Sequence, residues 1–548
     1  MDRRLLEKAD YLLSLERGTV FKDPGGKINI ALVYPNRYSV GMSSLGFQGV
    51  YRLLNSRPDV VCERAFLPAE DDLKLHRRTR TGVFTLESKR PLSRFDIIAF
   101  SVSFENDYPN LLEILALSGI PLRSEDRGPR DPLVIMGGVC AFYNPEPLAE
   151  FMDICFIGEA EDMLPEFLEY YGRGPSRDKL FSECFGIEGV YVPRYYAVDY
   201  RGDDLQITSR SVIGSAPAVI RKRTVTDISC CVIRPMITTP EAEFSDMYLA
   251  EAMRGCPWSC RFCVAGHIYK PPRKKDLNAL KAEVADALRT TRKVGLIGPS
   301  LSDYQHAGEI LSVEGVDFSI TSLRASPRSA QLVSLMKGHK SVSIAPEAGT
   351  ERLRRVINKK ISEKDILETA GLILGAGIGT LRLYFMIGLP TETREDVSGI
   401  VDLVRKIREA NKRGFINLTV STFVPKPFTP FQWHPMEKMS EVKERRRIIR
   451  KGLSDVRGVK VHHDVLKDAY IQGMLSVGDR RSSVVIRALA GTEGVSAPGP
   501  GQDYYIFRKK DREENLPWDF IDAGITKEMV WEEYCRALAD SEKPADYS

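Results

Sequence analysis

The chain has 548 residues, too many for one ordinary core, so roughly two to four domains are expected. Its 78 basic and 74 acidic side chains nearly balance, which argues against a dedicated nucleic-acid coat but leaves room for a local basic groove. No apolar run approaches the roughly 18–20 residues that span a bilayer, the opening MDRRLLEKADYLLSLERG has no signal-peptide core, and 10 cysteines are too sparse for a disulfide scaffold, so a cytoplasmic protein is expected.

Residues 1–26 read as a charged helical extension that ends at FKDPGGK. Apolar, β-branched runs then alternate with helical patterns. INIALVYP, VVCERAFL, DIIAFSVSF, PLVIMGGV and DICFIGE are expected strands, and LGFQGVYRLL, YPNLLEILALSG and AEDMLPEFLEYY are expected helices. This alternation predicts an α/β unit over 27–184, a doubly wound domain of flavodoxin type whose parallel sheet is covered on both faces. Ligands sit at the carboxyl ends of strands in such folds. Those ends carry Pro35-Asn36-Arg37, Ser101 to Glu105, Gly137-Gly138 and Gly158-Glu159. Several glycines at one edge favour a ligand crevice over a set of plain tight turns.

Residues 185–246 read as a linker with a small β element: a hairpin with a Gly-Asp turn in GVYVPRYYAVDYRGDDLQITSRSV, then the short extended pieces RKRTVTDI and VIRPMITTP. A second strand–helix series is expected over 247–480. YLAEAM, VGLIGPS, FSITSLRAS, SVSIAPEAG, GTLRLYFMIGLP and INLTVSTFVPKP are its strands, and VKVHHD is a seventh candidate. The repeats predict a partial (β/α)6 barrel of TIM type, with chemistry where strands end and βα loops begin. In the extension 481–548, SAPGPGQ reads as a turn and PWDFIDAGI as a cap on the barrel.

Directly after the first strand of that series stands MRGCPWSCRFCVAG, with Cys256, Cys260 and Cys263 and no fourth cysteine nearby. Three thiolates can hold a zinc ion completed by His267 or a remote cysteine. They can also hold an iron–sulfur cluster with one iron left open. Zinc knuckles usually come as C-x2–4-C pairs, so the spacing favours the cluster.

The pattern Cys256-x-x-x-Cys260-x-Phe262-Cys263 resembles the signature of the radical S-adenosylmethionine (radical SAM) enzymes, and the resemblance covers roughly Met247 to Pro427. It implies a 4Fe-4S cluster on Cys256, Cys260 and Cys263 whose fourth iron is chelated by S-adenosylmethionine (AdoMet). Reductive cleavage of AdoMet to a 5′-deoxyadenosyl radical, and hydrogen abstraction from a substrate, would follow. The same resemblance puts Phe262 near the adenine. Pro299 and Ser300 stand where the family binds the AdoMet amino group, although the family's acid is missing there and Asp303 lies three residues beyond Ser300. Ser322 and Arg324 fall at the methionine carboxylate. Glu347, in IAPEAGTERLRRVINK, falls near the ribose, and the backbone around Met386 and Gly388, in LYFMIGLPTET, lies against adenine. Arg273, in KPPRKK, is implied as a carboxylate or cluster partner. For Ser322, Arg324 and Glu347 the alternative is a rim hydrogen-bond network without a ligand. Catalytic residues and substrate stay unknown. An external electron donor of flavodoxin or ferredoxin type is implied.

A doubly wound domain ahead of such a barrel resembles the cobalamin-binding subgroup, and SFENDYPNLLEIL, GPSLSDY and PWDFIDAGI resemble an uncharacterised branch with that domain order. This implies either cobalamin, for radical methylation, or a domain that only shapes the substrate cavity. The motif Asp-x-His-x-x-Gly is absent, since His76 in DLKLHRRTRTG lacks the spacing. The runner-up is an RNA-modifying methylthiotransferase with a second cluster. Cys62, Cys140 and Cys155 are available for one but read as buried structural thiols. A non-catalytic metal-binding RNA or scaffold protein is the third reading. It rests on RRTR (Arg77 to Arg80), RKR (Arg221 to Arg223), RRR (Arg445 to Arg447) and FRKK (Phe507 to Lys510), runs that are usually solvated helix faces. His462 and His463, adjacent on an expected strand, face opposite ways and cannot share one site.

Overall fold

Ile28–Tyr34, Val60–Phe66, Ile97–Ser101, Leu133–Gly137 and Ile154–Phe156 form the expected strands of the first unit. A computed structural model of the chain, which describes residues 2–202, 205–230, 233–320, 322–336, 339–492 and 500–543, arranges them in parallel. Their order across the sheet is second, first, third, fourth, fifth, and Val190–Tyr191 adds an antiparallel edge. This is the flavodoxin order, with its switch point between the first and third strands. All of Val60–Phe66 is buried, because helices cover both faces. Phe47, Tyr51, Met163 and Phe167 pack on one side, and Leu111, Leu112 and Leu115 on the other. The expected hairpin is Tyr196–Tyr200 against Ile207–Val212; Asp203 and Asp204 of its turn lie outside the described residues.

The second series gives parallel pairing in two runs. Tyr248–Glu251, Lys293–Ile297 and Asp317–Ser319 form one. Ser322–Leu323, Ser341–Glu347, Thr380–Ile387, Phe415–Thr422 and Val459–His463 form the other. The third expected strand therefore contributes to both runs, and VKVHHD is the seventh strand of the series. Leu381, Leu383, Phe385 and Ile387 are buried with Ile400 and Val404 of the helix Arg394–Ala410, so these positions face the helical layer. The intervening residues, Arg382, Tyr384 and Met386, face inward.

The C-terminal part is more ordered than a cap. Ile521–Asp522 pairs with Ile220–Arg221, Trp518 is buried, and the helix Lys527–Glu542 packs on the helix Glu351–Val356. Most of SAPGPGQ lies outside the described residues. No helix of the described residues is long and apolar enough to cross a membrane.

Candidate functional site

Tyr248–Glu251 runs into a two-stranded antiparallel ribbon, Met253–Arg254 against Arg273–Lys274, and the three cysteines lie on the excursion between its strands. That excursion is tightly closed. Gly255 stands at φ +80°, and a Cβ there would lie 2.3 Å from the Tyr269 carbonyl oxygen, so only glycine fits. The Cys256 N–H donates to the Ala265 carbonyl at 3.2 Å, and the Cys263 N–H to the Cys260 carbonyl at 3.0 Å.

Cys260 is buried, and Cys256 and Cys263 are half-buried. Burial raises the Cys256 thiol and pushes Cys263 up to about 11, and the neighbouring Cys260 charge adds to both. Desolvated, mutually repelling thiolates need positive charge, which bound metal supplies as the protons leave. Among the described residues no three His, Cys, Asp or Glu side chains converge on a single-ion site. His267 is turned to the Cys263 carbonyl, 2.8 Å from its Nδ1. With His267 turned away, the loop offers three thiolates, a donor set that suits a cluster with one iron left open.

Polar groups from later strands gather on this loop. The Arg324 guanidinium stacks 3.7 Å from the Trp258 ring centroid, lies beside Cys260, and donates to the Lys360 carbonyl at 3.0 Å. Asp303 accepts from Trp258 Nε1 at 2.6 Å and from Ser300 Oγ at 2.7 Å, which brings a carboxylate back to the place where the sequence lacked one. Lys359 pairs with Glu347 at 3.1 Å; burial pulls the ammonium down, and Glu347 and Cys260 more than offset that pull. Glu347 itself has φ +67° at a bulge, a conformation that costs a non-glycine residue about 1–3 kcal/mol and is concentrated at functional sites.

Ser322 is exposed beside Ser343 on the next strand, and Pro299 lines the cavity described below. Phe262 and Met386 pack on one common core. Gly388, at φ +81°, donates its N–H to Glu392 Oε2 at 2.7 Å. Burial pushes Glu392 up to about 8 although Arg445 lies 3.1 Å away. Arg273 is placed apart from this group. Its two terminal nitrogens donate to the two oxygens of Glu159, both at 2.7 Å, across to the first unit.

Three further charged residues belong to the site: Arg254 pairs with nearby Glu251 and with distant Glu159 and Glu161, Lys359 pairs with Glu347, and Arg261 depends on remote partners. Arg261, between Cys260 and Cys263, donates to Asp540 at 2.8 Å, Glu533 at 3.2 Å and the Val356 carbonyl at 2.9 Å. The C-terminal helix thus braces the cysteine loop. Arg261→Ala removes the brace and is expected to lower the unfolding free energy by about 2–4 kcal/mol. Loss of iron to a chelator should also become several-fold faster. Unchanged melting and iron retention would contradict the brace.

Between the two units lies a cavity of about 430 Å³, the size of a ligand pocket. Ser101, Gly137 and Gly158, from the strand ends of the first unit, line one wall. Met253, Gly255 and Ala265, from the cysteine loop, line the other. A Cβ on Gly46 would meet nothing within 4 Å, and one on Gly137 only Phe156 at 3.9 Å, so these glycines leave open space. Gly138 and Gly158 serve the fold instead: a Cβ would lie 2.5 Å from the Val102 carbonyl oxygen and 2.3 Å from that of Arg223. Arg254, Glu251, Glu159 and Glu161 form a charged edge, with Arg254 at 2.7 Å from Glu161 and 3.1 Å from Glu159.

Cys62 and Cys155 sit in strands and Cys140 in a short helix, all buried, and burial raises each thiol. They form no three-thiol site among the described residues.

A cysteine loop at the rim of an open α/β strand series, fronting an interdomain cavity, defines a cluster-bearing enzyme class. Family models described as "Radical SAM proteins, N-terminal" and "Radical SAM superfamily" match residues 46–193 and 251–404. An uncharacterized protein of Methanocaldococcus jannaschii is 32% identical over 83% of this chain and 90% of its own length. A tRNA-2-methylthio-N(6)-dimethylallyladenosine synthase of Sorangium cellulosum is 26% identical over 32% of this chain and 41% of the synthase. The solved cobalamin-dependent S-adenosylmethionine radical enzyme OxsB, with aqua-cobalamin and S-adenosylmethionine bound, is 13% identical at a TM-score of 0.48. That alignment covers 84% of this chain and 66% of OxsB. The chain belongs to the radical SAM superfamily, and its cofactors are a 4Fe-4S cluster and AdoMet.

Proposed function

We propose that this chain is a cytoplasmic radical SAM enzyme that transfers a methyl group with cobalamin seated in the interdomain cavity. The observation that carries the reading is the cavity itself, walled by the strand ends of a flavodoxin-type sheet on one side and by the cysteine loop on the other. We take 27–184 and 247–480 as the two working domains.

When bound, the cluster and AdoMet supply one-electron chemistry that ends in hydrogen abstraction, and cobalamin would supply the methyl group. The chain's own residues prepare the site. Cys256, Cys260 and Cys263 hold the cluster, while Arg324 and Lys359 offset its negative charge. Ser300, with Asp303 behind it, and Glu347 would offer polar groups to AdoMet, and the backbone at Met386 and Gly388, with Phe262, would offer an apolar surface to its adenine. The apolar walls, Phe100, Met136, Phe142 and Met253 among them, keep water from the reacting centre. An electron donor of flavodoxin or ferredoxin type would reduce the cluster.

Uptake of hydroxocobalamin by the anaerobically reconstituted protein tests this. About one cobalamin per chain is expected, and Gly137→Trp should abolish uptake by filling the cavity while iron content stays normal. Clean failure of the parent protein to bind cobalamin would overturn the methyl-transfer reading and leave the first domain to shape the substrate cavity.

A further inference from the structure

A TIM-type barrel normally fills its interior with bulky apolar side chains. This one does not on its later strands. Thr380–Ile387 and Phe415–Thr422 alternate strictly, with buried residues toward the helices and accessible ones inward. Val459–His463 has no fully buried residue. Register aligns the inward residues in rows across three strands. Arg382, Asn417 and Lys460 form one row; Tyr384, Thr419 and His462 the next; Met386 and Ser421 the third. Neighbours in a row stand about 4.8 Å apart, and the first row lies about 13 Å below Met386 at ~3.3 Å per residue.

The charges on this face have one sign. Arg382 and Lys460 are exposed and have no ion-pair partner among the described residues. The turns at the lower end of the same strands add Arg413 and Arg457, and the turn before the neighbouring strand Ser341–Glu347 adds Lys340, all exposed and likewise unpaired among the described residues. Tyr384 is 37% exposed, and Phe415, at the entry to its strand, 60%, so two rings stand open beside the cations. The basic runs visible in the sequence behave differently. Arg77 pairs with Glu113, Arg223 with Glu188, Arg445 with Glu437, Arg446 with Asp464, and Arg508 with Glu514, while Lys510 is buried. Those residues are paired or buried, whereas Arg78 and Arg80 of the first run are exposed with no ion pair among the described residues. Arg382 and Lys460, far apart in sequence, are uncompensated cations that the sheet brings together.

We propose that the inner face of these three strands, with its basic lower rim, is a track for single-stranded RNA that leads toward the AdoMet end of the barrel. Unpaired cations spaced along a groove neutralise phosphates, open rings stack bases, and the amide and hydroxyls of Asn417, Thr419 and Ser421 suit ribose 2′-hydroxyls. The inference rests on the radical SAM reading for where the track leads, but binding itself needs neither cluster nor cobalamin.

Fluorescence anisotropy of a labelled mixed-sequence RNA of about 12 nucleotides, titrated with the full chain at several salt concentrations, tests it. Arg382→Ala with Lys460→Ala should weaken binding more than tenfold and reduce the slope of log K on log salt by about 1.4, or ~0.7 for each lost phosphate contact. Both side chains are exposed, so the melting temperature should not move. Arg382→Lys with Lys460→Arg should retain binding, and Arg77→Ala should leave it unchanged. No binding by the parent chain, or an unchanged slope in the double alanine variant, would overturn the track. Equal affinity for DNA of the same sequence would overturn its assignment to RNA. AdoMet cleavage, measured separately, would be untouched by any of these failures.

Discussion

Replacing Cys260 by alanine is expected to leave a folded chain that assembles no stable cluster and cleaves AdoMet only at background. Cys260 is the buried member of the three, its charge is felt by both other thiols, and Arg324 and Lys359 lie beside it. Losing a ligand should cost more than the roughly 10–100-fold typical of changes to groups that only orient ligands. Iron per chain and the visible absorbance of the reconstituted protein provide the measurement. Cys535→Ser, at an exposed thiol remote from the loop in sequence, should leave both unchanged. If Cys260→Ala holds iron as the parent does, the cysteine loop is not the cluster site.

The second large effect is expected at Glu159. Its side chain is 3% exposed and receives Arg273 at 2.7 Å, Arg254 at 3.1 Å and the Val225 N–H at 2.8 Å. Glu159→Ala strands Arg273 in a buried place without its carboxylate, a change that typically costs about 3–5 kcal/mol. The urea midpoint should fall accordingly, and Glu159→Gln should fall less because the amide oxygen still accepts. Burial opposes ionisation of Glu159, but Arg273 and Arg254 win and hold its carboxyl below the ordinary 4.5. A depressed carboxylate stabilises the fold fully above its unfolded pKa and loses that contribution as pH falls through the folded value. The parent should therefore lose stability below about pH 4.5, and Glu159→Gln should lose less over the same range. Identical midpoints and identical acid profiles would contradict the clamp.

Much of the frame was legible because strand patterns and turn glycines are local signals. The five parallel strands of the first unit, the cysteine loop at the end of Tyr248–Glu251 and even the seventh strand at VKVHHD follow from runs of a few residues. The opposed histidines also follow from the two-residue strand period. His462 is exposed on the inner face, while both ring nitrogens of His463 are buried with no hydrogen-bond partner among the described residues. What was not legible depends on partners far away in sequence. Arg261 reads as an ordinary loop arginine until Glu533 and Asp540 arrive from the C-terminal helix. Arg273 was expected at a cofactor; it meets Glu159, because a carboxylate buried at a strand end must be paired. Asp303 shows the reverse case. The sequence places it three residues beyond Ser300, off the family's position, and a short 3-10 turn folds its carboxylate back onto Ser300 and Trp258. The RNA track belongs with these, since Arg382 and Lys460 are neighbours only through the register of three strands.

The most direct test of the whole account is electron paramagnetic resonance of the reduced, reconstituted protein with and without AdoMet. About four irons per chain on Cys256, Cys260 and Cys263 are expected, with a cluster signal that shifts when AdoMet is added, because one iron lacks a protein ligand. A protein that instead holds one zinc ion, or a cluster whose signal ignores AdoMet, would contradict it.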